Sequence, residues 1–250
     1  MINRSPIAVV SMSGIFPGSA SIEAYWRHIL QKKNAIVDIP QDRWIADFSN
    51  VLSDRWKPDK AISNKAGLIT DFEFDPAGLA VDSKLLIQID PLYQLVLSAG
   101  RAALAQLRLT PEIRRRTRVI LASIALPTDQ SARLTRSIFE SIPIAGTRTS
   151  QPFPKLSHVD ALGCRVTGLP ASLLAAAFGL EGGSFTLDAA CASSLYAVKF
   201  ACDALVDGQC DLVVAGGVSR PDCLFTQVGF SQLRALSPSG RCAPFDKEAD

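Results

Sequence analysis

The feature of this sequence that most constrains its fold is a run of small residues between a predicted strand and a predicted helix. Residues 184–187 (SFTL) have the aromatic and β-branched character of a short strand, and residues 188–194 (DAACASS) form a turn of small side chains. A helical pattern follows as far as Val206, with Gly208 just beyond its end, and residues 211–215 (DLVVA) then predict a buried strand. This order of elements is typical of the parallel sheets of α/β proteins.

The helix after this turn is predicted to bury one apolar face. Its large apolar residues recur at intervals of three and four, which is the spacing of a single helical face. The residues of this face are Leu195, Val198, Cys202, Leu205 and Val206. We expect them to pack into the core.

The rest of the chain alternates between helix-like and strand-like patterns. Ser21 is placed to cap a helix, Pro170 to begin one, and Gly179 to end one. The spacing of apolar residues predicts helices over residues 21–30, 90–107 and 171–178, and strands over residues 7–10 and 118–126. Residues 38–78 lack a clear period and predict loops with short elements. The alternation indicates a layered α/β fold.

The composition excludes several classes of protein. Of the 250 residues, 48% are hydrophobic and 20% are charged, so the chain can bury a core that a disordered polyelectrolyte lacks. The 26 Lys and Arg residues against 24 Asp and Glu residues leave a formal net charge of +2. This balance gives no electrostatic reason to expect nucleic acid or an anionic membrane as a partner. The basic cluster at residues 114–118 is predicted to be a solvated loop before a strand.

No segment has the length of a membrane span, and the N-terminus lacks the features of a secretory signal. The longest strongly apolar stretch, residues 171–180, is far shorter than the ~20 residues that a spanning helix needs. The apolar run at residues 7–10 is too short for a signal-peptide core, and no small-residue cleavage site follows it. We therefore expect a cytoplasmic protein without a membrane span.

The cysteines and histidines are too few and too scattered for a disulfide scaffold or a zinc site. Six cysteines occur, no two of them spaced as C-x-x-C, and the only histidines are His28 and His158. We expect no metal site, and reduced thiols that mostly serve as small buried side chains. Cys202 is predicted to be in the core, Cys210 and Cys223 to flank the following strand and its loop, and Cys164 and Cys242 to lie in loops or at edges.

Cys191 is set apart because it lies at the entry to the predicted helix. A helix N-terminus carries partial positive charge and unpaired N–H groups, and both stabilise a thiolate. The backbone N–H of Cys191 is also placed to donate to the oxygen of a carbonyl that the sulfur attacks, as one half of an oxyanion hole. A single cysteine carries no information about a catalytic partner, so the turn alone leaves a structural cysteine and a nucleophile both open.

The turn around Cys191 belongs to a longer, ordered set of motifs. FGL at residues 178–180 and DAACASSL at 188–195 are followed by AGGV at 215–218, GFS at 229–231 and LSPSGRCAPFD at 236–246. The start of the chain adds IAVV at 7–10, FPG at 16–18, YW at 25–26 and IP…RW at 39–44. Together these motifs resemble β-ketoacyl synthases, the condensing enzymes of fatty acid and polyketide synthesis, over essentially the whole chain.

A narrower likeness is carried by DPLYQL at residues 90–95, ALPTD at 125–129 and GVSRPDC at 217–223. These segments resemble the iterative multidomain synthases that make polyunsaturated fatty acids or heterocyst-type glycolipid chains.

The resemblance implies a fold, a nucleophile and partners. The fold is a thiolase-like arrangement of layered αβαβα halves, usually dimeric, and residues 1–250 would be its N-terminal domain. Cys191 would take an acyl group from an acyl carrier protein and pass it to a malonyl unit that loses carbon dioxide. No cofactor would be bound directly, because the phosphopantetheine is carried by the acyl carrier protein.

The family also uses two histidines and a lysine, which its pattern places in the C-terminal half. Residues 247–250 precede all of them, so the resemblance implies that condensation needs a C-terminal half as a partner. His28 and His158 match neither family histidine and are expected to be surface or packing residues. Cys164 stands where the family has a polar residue such as Asn, which puts only local loop contacts in doubt.

Three other functions are alternatives to condensation. A catalytically silent synthase-like module that binds acyl chains or carrier protein stays open, although such modules commonly replace the nucleophile that is kept here as Cys191. A papain-like hydrolase would need a histidine and an Asn or Asp oriented onto the thiol. A phosphate-binding loop at residues 14–18 is excluded because no Gly-Lys-Ser/Thr follows.

Overall fold

The structure is a computed structural model that describes residues 6–142, 155, 157–220 and 223–250. Two residues of the GVSRPDC motif, Pro221 and Asp222, lie outside the described residues. The chain divides into two compact units, of which one comprises Met1–Ser13 and Glu73–Ser219, and the other Gly14–Phe72 and Arg220–Asp250.

The two units together contain the following elements, given in chain order. The helices are α1 (Ile22–Leu30), α2 (Phe48–Val51), α3 (Ser83–Gln88), α4 (Pro91–Leu104), α5 (Pro111–Arg115), α6 (Asp129–Ser141), α7 (His158–Gly163), α8 (Leu169–Phe178), α9 (Ser193–Val206) and α10 (Leu224–Gln232). The strands are β1 (Ile36–Asp38), β2 (Lys65–Gly67), β3 (Thr117–Ser123), β4 (Ser184–Leu187) and β5 (Leu212–Val218). Short 3-10 helices lie at Gln41–Arg43 and Ala190–Ala192.

The first unit is organised around a parallel sheet in the order β4-β3-β5. The central strand β3 is almost entirely buried, and Val119 and Ile120 are fully enclosed. Its residue Ala122 pairs with Leu187 on one side and with Gly217 on the other. All three strands therefore have their carboxyl ends at the same edge of the sheet.

Helices cover both faces of this sheet because successive side chains of a strand point to opposite faces. Val119 and Leu121 of β3 pack in a cluster with residues of α4 and α8. Ile120 and Ala122, which alternate with them, pack against Ala197 and Ala201 of α9. The layered α/β fold that the sequence predicts is thus present in this unit.

The helices predicted at residues 90–107 and 171–178 are confirmed as α4 and α8, with small changes at their ends. α4 begins after Asp90, whose buried carboxylate accepts a hydrogen bond from Leu92 N at 2.9 Å, and it ends three residues before the predicted limit. α8 has Pro170 in its first turn and ends at Gly179, whose φ of 61° lies in the left-handed region. A Cβ at Gly100 of α4 would overlap the side chain of Leu174, so this glycine permits the close approach of α4 and α8.

The second unit contains the loops and short elements that were expected at residues 38–78. β1 and β2 pair in antiparallel fashion, and a small core gathers around Ile39, Trp44 and Ala61. α1 is confirmed, with Ser21 Oγ accepting a hydrogen bond from Ala24 N at 3.2 Å.

The strand predicted at residues 7–10 is wrong. No strand is formed there, and Val9 and Val10 are exposed by 76% and 57%. A strand is stabilised by hydrogen bonds to a neighbouring strand, and none pairs with this segment among the described residues.

The predicted buried face of α9 is also wrong. Leu195, Val198 and Val206 are exposed, and Cys202 is half-buried instead of lying in the core. The buried residues of α9 are Ser193, Ala197, Ala201 and Ala204. Only small side chains fit where the helix lies directly on the sheet, so the face of smallest residues is the one that packs.

The basic cluster is not a solvated loop. Its first part forms α5, and Arg116 Nε lies 2.7 Å from a carboxylate oxygen of Asp211 before β5. Arg118 donates to Gly182 O at 3.1 Å. A hydrogen bond from Arg116 holds the pKa of Asp211 below its usual range. These arginines connect the amino ends of the strands.

Among the described residues, no helix has both the length and the apolarity needed to cross a membrane.

Replacing Leu174 with Ala should lower the free energy of unfolding by about 2–5 kcal/mol, because the side chain is only 1% exposed and its loss leaves a cavity. The matched control Leu195→Ala, at a side chain that is 74% exposed, should change it by about 0.5 kcal/mol or less. Urea unfolding of both variants measures this difference. Equal losses would contradict the assignment of the core.

Replacing Gly182 with Ala should destabilise the first unit by about 1–3 kcal/mol, because the new Cβ would lie 2.6 Å from the backbone oxygen of Thr117. Gly216→Ala in β5 is the control, since the nearest atom to its Cβ would be 3.9 Å away. Thermal unfolding of the two variants provides the comparison, and an unaffected Gly182→Ala protein would contradict the packing of this loop against β3.

Candidate active site

The site is the turn that joins β4 to α9. The chain leaves the sheet at Asp188, forms the 3-10 helix Ala190–Ala192, and enters α9 at Ser193. Cys191 therefore lies at the carboxyl edge of the parallel sheet and at the entry to a helix, where the sequence predicted it. Its side chain is exposed.

The carboxylate of Asp188 joins this turn to the loop that follows the central strand. One oxygen accepts a hydrogen bond from Ala190 N at 2.9 Å, and the other accepts one from Ala125 N at 2.9 Å. These two backbone hydrogen bonds, that of Ala125 being the stronger cause, hold the pKa of Asp188 below its usual range. The carboxylate is thus ionised at neutral pH and uses both oxygens to fix the backbone.

The hydroxyl of Ser193 closes the same turn from the other side. Ser193 Oγ accepts from Ala189 N at 2.8 Å and donates to Ala190 O at 2.6 Å. The residue is buried at the first position of α9. A small hydroxyl side chain is required here because it satisfies two backbone groups beneath the turn without displacing the helix from the sheet.

The backbone is strained directly before the cysteine. Ala190 has a φ of 50°, in the left-handed region that residues other than glycine rarely adopt. This conformation costs about 1–2 kcal/mol for an alanine. Its neighbours Asp188 and Ser193 hold the amide and the carbonyl of Ala190, so the surrounding hydrogen bonds maintain the strained turn.

The amide of Cys191 is available to a ligand. In the part of the chain that the structure describes, Cys191 N–H donates to no backbone or side-chain acceptor. An exposed thiol and a free amide at one point suit attack on a carbonyl carbon with stabilisation of its oxygen.

The other cysteines lie in unlike settings. Cys210 and Cys223 are buried, as expected of residues beside a strand and its loop, and Cys164 and Cys242 are exposed. Burial raises the pKa of the Cys210 thiol, which disfavours a thiolate there. Cys223 also precedes a helix, as the N-cap residue of α10, but it is buried, whereas Cys191 is exposed.

No histidine forms a hydrogen bond with Cys191 among the described residues. His28 belongs to the second unit, where its Nδ1 lies 2.7 Å from Ser19 Oγ. His158 is the first residue of α7. The described residues also contain no group of three or more His, Cys, Asp and Glu side chains able to hold a metal ion.

The sequence predicts the place of Cys191 in this turn but not the residues that hold the turn. Asp188 had a signal, because an Asp side chain that bonds the amide two residues later is a common turn device. The partner Ala125 had none, since it lies 63 residues away in the sequence. The left-handed conformation of Ala190 had no signal in the sequence either, because alanine rarely adopts it.

The sequence matches the family described as the β-ketoacyl synthase N-terminal domain over residues 4–250. The spectinabilin polyketide synthase system protein NorA' of Streptomyces orinoci is 32% identical over 250 residues, which are 99% of this chain and 6% of that protein.

Two solved structures share the fold. The PfaC keto synthase–chain length factor has a TM-score of 0.83 and 31% identity, over 96% of this chain and 27% of that one. The oxazolomycin ketosynthase domain OzmH KS7 of Streptomyces albus JA3453 has a TM-score of 0.75 and 23% identity, over 96% of this chain and 40% of that one, and shows the fold alone.

These matches confirm the predicted fold class, the N-terminal half of a thiolase-like condensing domain. The chain spans only 6% of the length of the spectinabilin protein and 27% of the PfaC chain. Because the family match extends over residues 4–250, this chain belongs to the β-ketoacyl synthase family, whose N-terminal domain it represents.

Proposed function

We propose that residues 1–250 form the N-terminal domain of a 3-oxoacyl synthase in which Cys191 accepts an acyl group as a thioester. The observation that carries this proposal is the exposed Cys191 in a strained, hydrogen-bonded turn at the carboxyl edge of the parallel sheet. The family's motif DAACASSL surrounds this residue without interruption. A structural cysteine would need neither exposure nor a strained turn.

The first step is transfer of the acyl group from its carrier. The Cys191 thiolate attacks the thioester carbonyl of an acyl-phosphopantetheine on an acyl carrier protein, and the oxyanion that forms accepts a hydrogen bond from Cys191 N–H. A bond forms between the carbonyl carbon and Cys191 Sγ, the bond to the pantetheine sulfur breaks, and the released thiolate takes up a proton. The phosphopantetheine arm enters as part of the substrate.

The second step is condensation with a malonyl carrier-protein unit. Loss of carbon dioxide leaves an enolate whose carbon attacks the Cys191 thioester, and the thiolate of Cys191 departs as the β-ketoacyl product forms. Holding the acyl group covalently divides one difficult reaction into two easier ones. The groups that promote decarboxylation are assigned by the family resemblance to a C-terminal half, so both halves act together in this proposal.

The exposed face of α9 supports a C-terminal half as a partner. Leu195 and Tyr196 are exposed by 74% and 49%, and Phe200 by 43%, next to Phe185 of β4. A contiguous apolar face of this kind marks a surface that another element covers. A second copy of the chain, in the homodimer that the family resemblance implies, is the other candidate to cover this face.

The product class and the cellular location stay predictions from the sequence. The product class rests on the segments that resemble polyunsaturated fatty acid and glycolipid synthases, and the predicted location is the cytoplasm.

Incubation of the full-length protein with an acyl-pantetheine thioester should add one acyl mass to the wild type and none to Cys191→Ala. The reason is that the sulfur of Cys191 is the acceptor atom. Intact-protein mass spectrometry measures the adduct. Cys164→Ala is the matched control, because Cys164 is also an exposed cysteine of the first unit, and it should be acylated like the wild type.

An adduct that persists in Cys191→Ala would overturn the assignment of the nucleophile. A folded wild-type protein that gains no adduct would favour the silent module that binds acyl chains or carrier protein.

A further inference from the structure

We propose that Asp188 is the positioning residue for Cys191, and that its carboxylate sets the direction of the thiol by holding the backbone of the preceding residue. This inference rests on the proposed function, since it concerns the same nucleophile. It assigns a role to a side chain that does not touch the sulfur and takes no part in the bonds that form and break.

The carboxylate of Asp188 connects the loop after β3 to the turn that contains Cys191. Ala125 follows the buried strand β3 closely, and its amide donates to one oxygen at 2.9 Å. Ala190 directly precedes Cys191, and its amide donates to the other oxygen at 2.9 Å. The carboxylate thereby ties the turn to the loop that follows the buried central strand of the sheet.

The strained conformation of Ala190 explains why such a link is needed. A φ of 50° is unfavourable for alanine, so the turn would relax towards a negative φ if its amide were released. Because Cys191 is the next residue, that rotation would turn both its sulfur and its N–H away from a bound carbonyl. Ser193 alone holds the Ala190 carbonyl and leaves the amide free to move.

The chemistry of the acceptor predicts a graded response to substitution. A carboxylate offers two acceptor oxygens to two N–H groups, whereas an amide offers one oxygen and sets its NH2 group against the second N–H. Alanine offers no acceptor. Asp188 is exposed and belongs to no apolar cluster, so its removal leaves no cavity in the core.

The test compares Asp188→Asn and Asp188→Ala with the wild-type full-length protein at increasing concentrations of an acyl-pantetheine thioester. The maximal acylation rate should fall by about tenfold in the Asn variant and by about a hundredfold in the Ala variant, the range that misplacement of a reacting group costs. The half-saturating concentration should stay within about twofold, because positioning acts on the reacting step. Asp207→Ala, at the other end of α9, is the matched control and should react like the wild type.

A second variant separates positioning from a general loss of structure. Glycine adopts positive φ without penalty, so Ala190→Gly in the Asp188→Ala background should recover part of the lost rate. Equal maximal rates in the wild type and Asp188→Ala would overturn the inference. The inference would also be overturned if the maximal rate and the unfolding midpoint fell together in Asp188→Ala and the double variant recovered no rate.

The rate at which iodoacetamide alkylates Cys191 tests the role of Asp188 separately from the proposed function, because alkylation requires no acyl transfer. A wild-type protein that gains no acyl group overturns the proposed function. Its alkylation would still test Asp188, because slower alkylation in Asp188→Ala supports the positioning role and an unchanged rate contradicts it.

Discussion

The structure depends on the burial of β3 between β4 and β5 in the first unit. This strand sends alternate side chains into two clusters, one shared with α4 and α8 and the other with α9. In the second cluster α9 lies close to the sheet, because it contacts the sheet through the small side chains of Ala197 and Ala201. That close approach places the first turn of α9, and with it Cys191, directly at the carboxyl edge of the sheet.

The reactive turn is shaped by hydrogen bonds more than by packing. Asp188 and Ser193 hold the backbone on either side of Ala190, whose positive φ the chain would not adopt unaided. The result is an exposed thiol next to an amide without a partner among the described residues. The fold contributes the carboxyl edge of the sheet, the polar side chains set the local geometry, and Cys191 is the nucleophile in the function that we propose.

The sequence predicted the parts of this arrangement that local rules control. The strands β3, β4 and β5, the helix α4, the helix α1 with Ser21 as its N-cap, and the place of Cys191 all follow from periodicity and capping. It failed where non-local contacts decide, as at residues 7–10, where a strand needs a partner strand. It failed at α9 too, because periodicity marks the large apolar residues while contact with the sheet selects the small ones.

Peptide mapping of protein labelled with an isotopically marked acyl thioester tests most directly whether the acyl group is bonded to Cys191. We expect the label on the peptide that contains Cys191 and on no peptide that contains Cys164 or Cys242, the two other exposed cysteines. Label on either of those peptides, with none on Cys191, would contradict it.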